Sequence, residues 1–258
     1  MDKISTNDDS GNSIKSVETG FKIIEYLHDV EVATATEVSN ELDLPLSTAH
    51  VYLKTLEQIG YVVCESQNYR IGLRFLHHGG VARHKLRIYQ IAKHEISDLS
   101  EKTQEVANLG VEENGQRVLL QKAEAPEGVY DNPPIGQFTN MHWTALGKAM
   151  LSTMSPEQVE KIVSVHGLPK ATENTITTLD TLVEELDRTR ERGYSIEDEE
   201  RRRRIRAIGI PIEISDGVSS TSAISVSGPR SRIQKKEDEI IDALYNTANV
   251  IGLKCNHY

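Results

Sequence analysis

The chain has 258 residues, enough for two compact units, since a single core usually stops growing well before a few hundred residues. A formal net charge of -10 excludes a protein that coats nucleic acid through bulk positive charge, and two distant cysteines, Cys64 and Cys255, supply neither a disulfide framework nor a thiolate zinc site. No stretch approaches the roughly 18 uninterrupted apolar residues of a membrane span, and the opening MDKISTNDDSGNS lacks the basic-then-apolar order of a secretory signal, so a cytoplasmic protein without a membrane partner is expected.

Residues 1–13 are polar and read as a disordered tail, with too little apolar content to offset the entropy of ordering. From Lys15 to Leu27 the positions Val17, Phe21, Ile24 and Leu27 recur at helical spacing and predict a helix with one buried stripe. Thr34 or Thr36 can cap a short second helix whose Val38 and Leu42 share a side, with Glu37 early where a helix start favours negative charge, and Leu44-Pro45 breaks it. A third helix is predicted from beside Ser47 to about Ile59, with Ala49, Leu53 and Leu56 on one face and Thr48, His50, Tyr52, Lys54 and Thr55 elsewhere; Gly60 ends it. Two β-prone runs, Tyr61 to Glu65 and Tyr69 to Leu73, separated by Ser66, Gln67 and Asn68, form a small hairpin. Three helices and a hairpin, in that order, describe a winged helix.

A softer patch at His77, His78, Gly79 and Gly80 precedes an amphipathic helix marked by Leu86, Tyr89, Ala92, Ile96 and Leu99. Strands are predicted over Val106 to Glu112 and Arg117 to Ala123 around an Asn114-Gly115 turn, then helices near Thr144 to Thr153, Pro156 to Val165 and Leu179 to Arg192. Strands at Ala207 to Ile214 and Thr221 to Val226 and a helix from Ile233 to Ile251 complete an α+β domain without internal repeats. The division expected is 1–13 tail, 14–75 winged helix-turn-helix, 76–88 linker helix and 89–258 sensor domain.

The acidic average hides an uneven distribution. Between His50 and Arg87 six basic residues (Lys54, Arg70, Arg74, Arg83, Lys85, Arg87) face two acidic ones (Glu57, Glu65), a local balance of +4. In a helix-turn-helix the third helix enters the major groove with its first turns at base edges, while neighbouring segments hold phosphates. Ser47, Thr48, His50, Tyr52, Lys54 and Thr55 on that helix, with Arg70 and Arg74 on or after the wing, are therefore the candidate DNA contacts.

Several stretches taken together are similar to the IclR (isocitrate lyase regulator) family of transcription factors, across almost the whole chain. They are SIKSVETGFKIIEYL, ATEVSNELDLPLSTAHVYLKTLEQIGYV and YRIGLRFLHHG in the first part, then PIGQFTNMHWTALGKAMLS, RERGYSIEDEE, IRAIGIPI and SAISVSGPRSRI. The resemblance implies an N-terminal winged helix joined to a C-terminal GAF-like effector-binding domain. Reading two half-sites of double-stranded DNA about one turn, or a multiple, apart predicts a homodimer on a palindromic operator, and the resemblance adds a homotetramer built as a dimer of dimers; no cofactor is expected. By position, Met141, His142, Trp143, Thr144 and Ala145 would line the effector cavity and offer backbone N–H groups, with Asp198, Ala207, Ser225 and Ser227 as further pocket residues suited to a small carboxylate or phenolic metabolite. Val51 stands where many members carry Arg in the recognition helix, and Ala207 where some carry a pocket cysteine, so neither operator preference nor ligand carries over. The run Arg201 to Arg204 reads as a solvated charge cluster, with a phosphate or anion contact as the alternative.

The rival readings are an enzyme, or a winged helix used for protein contacts. No GxSxG elbow, phosphate-cradling glycine loop, HExxH helix or dinucleotide fingerprint occurs, and His77, His78 and His84 lack a flanking carboxylate set for metal, so neither catalysis nor a metal site is expected.

Overall fold

The computed structural model describes residues 13–126, 133–214 and 221–257. The expected N-terminal tail, apart from Ser13, lies outside them. The chain separates into two compact units between Ala82 and Arg83.

The first unit holds α1 (Lys15–Val30), β1 (Ala33–Thr34), α2 (Ala35–Glu41), α3 (Leu46–Gln58), β2 (Val62–Glu65), β3 (Asn68–Ile71) and the start of α4 (Arg74–Lys85). Thr34 caps α2 in a reciprocal box with Glu37, satisfying two of the N–H groups a helix start leaves over. The core is Ile23, Leu27, Val38, Ala49, Leu53, Leu56, Val62 and Tyr69, and each large aliphatic among them contributes roughly 1.5–3 kcal/mol by leaving water. The stripe expected on α1 is only partly the buried one. Ile23 and Leu27 are buried, whereas Val17 and Phe21 remain 54% and 56% exposed, because the core meets only the C-terminal half of the helix.

A three-stranded antiparallel sheet, ordered β1-β3-β2, forms the wing. Its turn is tighter than expected. Asn68 already pairs with Glu65, leaving the two residues Ser66 and Gln67, both at positive φ (51° and 69°), the twist a two-residue hairpin requires.

The second unit contains α5 (Arg87–Thr103), β4 (Val106–Glu113), β5 (Gln116–Ala123), β6 (Phe138–Asn140), α6 (Ala145–Leu151), α7 (Pro156–His166), α8 (Leu179–Arg192), β7 (Ser195–Asp198), β8 (Ile205–Ile212), β9 (Ser222–Pro229), α9 (Arg230–Lys235) and α10 (Glu237–His257). The strands form one antiparallel sheet in the order β6-β5-β4-β9-β8-β7. Because successive side chains point to opposite faces, each strand contributes to two layers. Leu109, Val111, Val118, Leu120, Ile208, Ile210, Ile212, Ile224 and Val226 pack under α5 and α10. Leu119 and Ala223 lie on the other side with the cluster from α6, α7 and α8. The single closing helix expected from Ile233 is two, interrupted at Lys236 (φ -109°, ψ 17°).

Candidate functional site

Helix α3 begins at Leu46, with Pro45 at the cap position and no side-chain cap, so Ser47 lies within the first turn. Ala49, Leu53 and Leu56 face the core. The opposite face gathers Ser47, His50, Val51, Lys54 and Thr55, all exposed, while Thr48 and Tyr52 sit half-buried at its margin. Lys54 pairs with Glu57 at 2.8 Å, which holds its ammonium above the usual lysine range. Thr55 turns its hydroxyl back to the Val51 carbonyl at 2.8 Å. Val51, 65% exposed, occupies the middle of this face and offers no polar group.

Arg70 is on the wing, paired with Glu65 at 2.7 Å and open to solvent. Arg74 belongs to neither wing nor recognition face. It starts α4, donates to the Ile59 carbonyl at 2.7 Å and stacks over the Tyr61 ring.

The second candidate site is the polar patch of the sheet beneath α6. Residues paired across strands lie side by side: Glu197, Ala207 and Ser227 form one line over β7, β8 and β9, and Ser195, Gly209, Ser225 and Asn108 the next. Asn108 donates its amide to Ser227 at 3.2 Å and to Ser225 at 3.5 Å. Ser195 donates to the Ala145 carbonyl at 2.6 Å, which docks the start of α6 onto β7, and Gly209 lets that approach happen, since a Cβ there would sit 2.7 Å from the same oxygen.

Met141 to Ala145 behave differently from one another. Met141 is core. His142 is buried and donates from Nε2 to the Pro169 carbonyl at 3.1 Å; burial, with the Lys148 charge assisting, lowers its imidazole to about 4 and keeps it neutral. Trp143, the sole tryptophan of the chain, donates its indole N–H to Thr139 at 3.0 Å. Thr144 caps α6 through the Gly147 N–H at 2.9 Å. The Ala145 N–H meets the carboxyl of Glu197.

The sequence points to Asp198 as a pocket residue, but the strand turns Glu197, not Asp198, toward α6. On β7 the buried side chains are Ser195 and Glu197, and Asp198 faces the other way, held by Arg206 at 2.8 Å and Arg230 at 2.6 Å. Burial opposes ionisation of Asp198, but the Arg230 and Arg206 guanidiniums outweigh it and hold the carboxyl below the usual range. Glu197 is raised to about 8, first by burial and then by the Glu200 charge, with Lys148, the Ala145 N–H and Arg117 only partly compensating. Its Oε1 has no hydrogen-bond partner among the described residues. Lys148, fully buried on α6, is shared between Glu200 and, at 3.6 Å, Glu185. In the Arg201 to Arg204 run, Arg202, Arg203 and Arg204 are exposed, and Arg203 pairs with Glu173 at 2.8 Å.

Comparison with known proteins agrees with this division. The IclR helix-turn-helix domain matches residues 16–65, and the domain described as bacterial transcriptional regulator IclR C-terminal matches residues 81–253. The HTH-type transcriptional regulator BhcR of Paracoccus denitrificans is 32% identical over 244 residues, 92% of this chain and 86% of its own. The HTH-type transcriptional repressor AllR of Salmonella typhi is 29% identical over 248 residues, covering 93% and 91%. Among solved structures, an IclR homologue of Microbacterium hydrocarbonoxydans complexed with 4-hydroxybenzoate superposes with a TM-score of 0.78 at 22% identity, over 92% of this chain and 98% of that one. The chain belongs to the IclR family, and is a transcriptional regulator with an N-terminal helix-turn-helix domain and a C-terminal effector-binding domain.

Proposed function

We propose that the exposed face of α3, carrying Ser47, His50, Val51, Lys54 and Thr55, enters the major groove, with Arg70 of the wing on the flanking phosphates. The observation that carries this reading is the segregation of α3 into a core face of Ala49, Leu53 and Leu56 and a polar, unburied face opposite. The protein acts in the cytoplasm as a homodimer, or as a tetramer made of two such dimers, on a palindromic operator whose half-sites lie about 10 bp apart or a multiple of it.

The effector is a small carboxylate or phenol bound against the polar patch under α6. The Ser225 and Ser227 hydroxyls accept from Asn108 and so direct their protons elsewhere, toward a ligand oxygen. A Glu197 carboxyl that keeps its proton near neutral pH does not repel an anion placed beside it. Binding that favours one arrangement of the subunits shifts operator affinity by linkage. The test is a footprint of the full chain on DNA around its own gene, repeated with 4-hydroxybenzoate and a panel of short carboxylic acids and phenols. Protection that changes with one of them supports the sensor assignment; protection identical across the whole panel overturns the effector chemistry.

A further inference from the structure

The C-terminal end of the recognition helix is held by a residue outside the helix. The last carbonyls of any α-helix lack partners within it and carry the negative end of its dipole, which a cation near the last turn stabilises. Helix α3 has no basic residue in its own last turn. Arg74, the first residue of α4, supplies one, donating to the Ile59 carbonyl at 2.7 Å. The same guanidinium lies 5.4 Å from the centre of the Tyr61 ring. Phe75 meets that ring edge-on at 4.7 Å, and His78, one turn further along α4, reaches the Tyr61 hydroxyl at 2.8 Å. Tyr61 is fixed to α3 in its turn by its backbone N–H, which donates to Leu56 at 2.9 Å. Thus one arginine and one tyrosine clasp the end of α3 to the first turn of α4, a helix with no fully buried side chain of its own.

We propose that Arg74 is a positioning residue and not a phosphate contact: with Tyr61 it locks the recognition helix to the connecting helix, so that α3 and the first turn of α4 move as one piece. Helix α4 runs on to Lys85, past the boundary between the two units at Ala82 and Arg83, so the clasp ties the recognition helix to the connecting segment of the chain. The inference rests on the reading that α3 and the wing hold DNA, and one arm of the test examines that reading separately.

The experiment measures binding of the full chain to two duplexes, one selected by the wild type from genomic DNA and one of random sequence, across a salt series. Each phosphate contact removed lowers the slope of log affinity against log salt by about one. Arg70→Ala on the wing is expected to lower the slope on both duplexes. Arg74→Ala is expected to leave both slopes and the random-duplex affinity unchanged while weakening the selected duplex about tenfold, since a charged hydrogen bond orienting the reading helix is lost. Tyr61→Leu, which removes no charge, is expected to do the same, and the double variant to be little worse than either single one, because the two residues act as a unit. Arg74→Met, which keeps the stem over Tyr61, gives the same readout if the alanine variant is unstable. A slope lowered by Arg74→Ala or Arg74→Met as by Arg70→Ala, or Tyr61→Leu binding like the wild type, overturns the clasp. A slope unmoved by Arg70→Ala counts against the wing reading alone.

Discussion

Asn108 on β4 donates its side-chain amide to the Ser227 hydroxyl on β9 across 3.2 Å, so the Ser227 oxygen already accepts and its proton is committed to another direction. Ala207, the smallest side chain on the line of paired residues, is the neighbour of Ser227 on β8. Ser227→Ala is therefore expected to weaken binding of a small acid or phenol about fivefold, the worth of one ordinary hydrogen bond, without altering DNA affinity. Lys54→Ala is expected to do the reverse. Trp143, the sole indole of the chain, reports the first measurement by fluorescence, and anisotropy of a labelled duplex reports the second. Equal losses in both assays from a folded variant would contradict the separation of roles.

Glu197 makes stability depend on alkali. Its carboxyl is raised to about 8 in the folded chain against an ordinary 4.5, so the folded state binds the proton more tightly than the unfolded one. Stability from this group is fully present below pH 4.5 and is lost as pH rises through 8. Thermal unfolding followed between those values is expected to fall with pH, and Glu197→Gln to flatten the fall. A slope unchanged by the substitution would show that the carboxyl is not held protonated.

His142 acts with the opposite sign. Its imidazole is lowered to about 4 from 6.5, so unfolding takes up a proton, and stability present above 6.5 is lost as pH falls through 4. Of these two groups only Glu197 contributes between pH 6.5 and 8, where the raised carboxyl of Glu200 acts in the same direction. Only His142 contributes between 4 and 4.5, where the lowered carboxyl of Asp198 adds to the acid limb. His142→Gln, whose amide can still donate toward the Pro169 carbonyl, is expected to shrink the acid limb and leave the fall between pH 6.5 and 8 in place, as read from the midpoint of unfolding across the same pH series.

Gly147 is required by contact rather than by turn geometry. A Cβ there would lie 2.1 Å from the Met141 carbonyl oxygen and 2.4 Å from its Cα, so the loop carrying His142 and Trp143 must move. Gly147→Ala is expected to destabilise by at least about 3 kcal/mol in urea unfolding. Gly20→Ala, inside α1 with nothing within 4 Å, is expected to stabilise by about 0.5–1 kcal/mol. A mild effect at Gly147 would mean that the α6 loop tolerates a shift.

The elements legible beforehand are those whose burial follows a simple period or whose turn has its usual residues. Leu179–Arg192 forms as expected, with Leu182, Leu186 and Thr189 buried at helical spacing, and Asn114-Gly115 turns β4 into β5 with both residues at positive φ. Strand β7 escaped because its buried positions are Ser195 and Glu197, polar where a pattern reader seeks apolar residues, and without the strand nothing favours Glu197 over Asp198. Helix α4 begins earlier than the linker helix expected at 76–88, because it buries no stripe that marks its start. The placement of Arg74 is illegible for a different reason: its partner is the backbone carbonyl of Ile59, which no side-chain pattern records.

Val51 offers the sharpest change in the other direction. It stands 65% exposed one turn after Ser47 on the face assigned to DNA, where an apolar side chain gains nothing from burial in the free protein and supplies no hydrogen bond to a base or phosphate. An arginine there adds a cation within reach of the backbone and five N–H donors that fit guanine or phosphate. Val51→Arg is therefore expected to tighten binding to a random duplex and to steepen the salt slope by about one, leaving thermal stability within about 0.5 kcal/mol because the site is on the surface. Anisotropy titrations at several salt concentrations measure both quantities. If neither affinity nor slope changes, the middle of this face does not approach DNA, and the contact surface must lie nearer Ser47 or on the wing around Arg70.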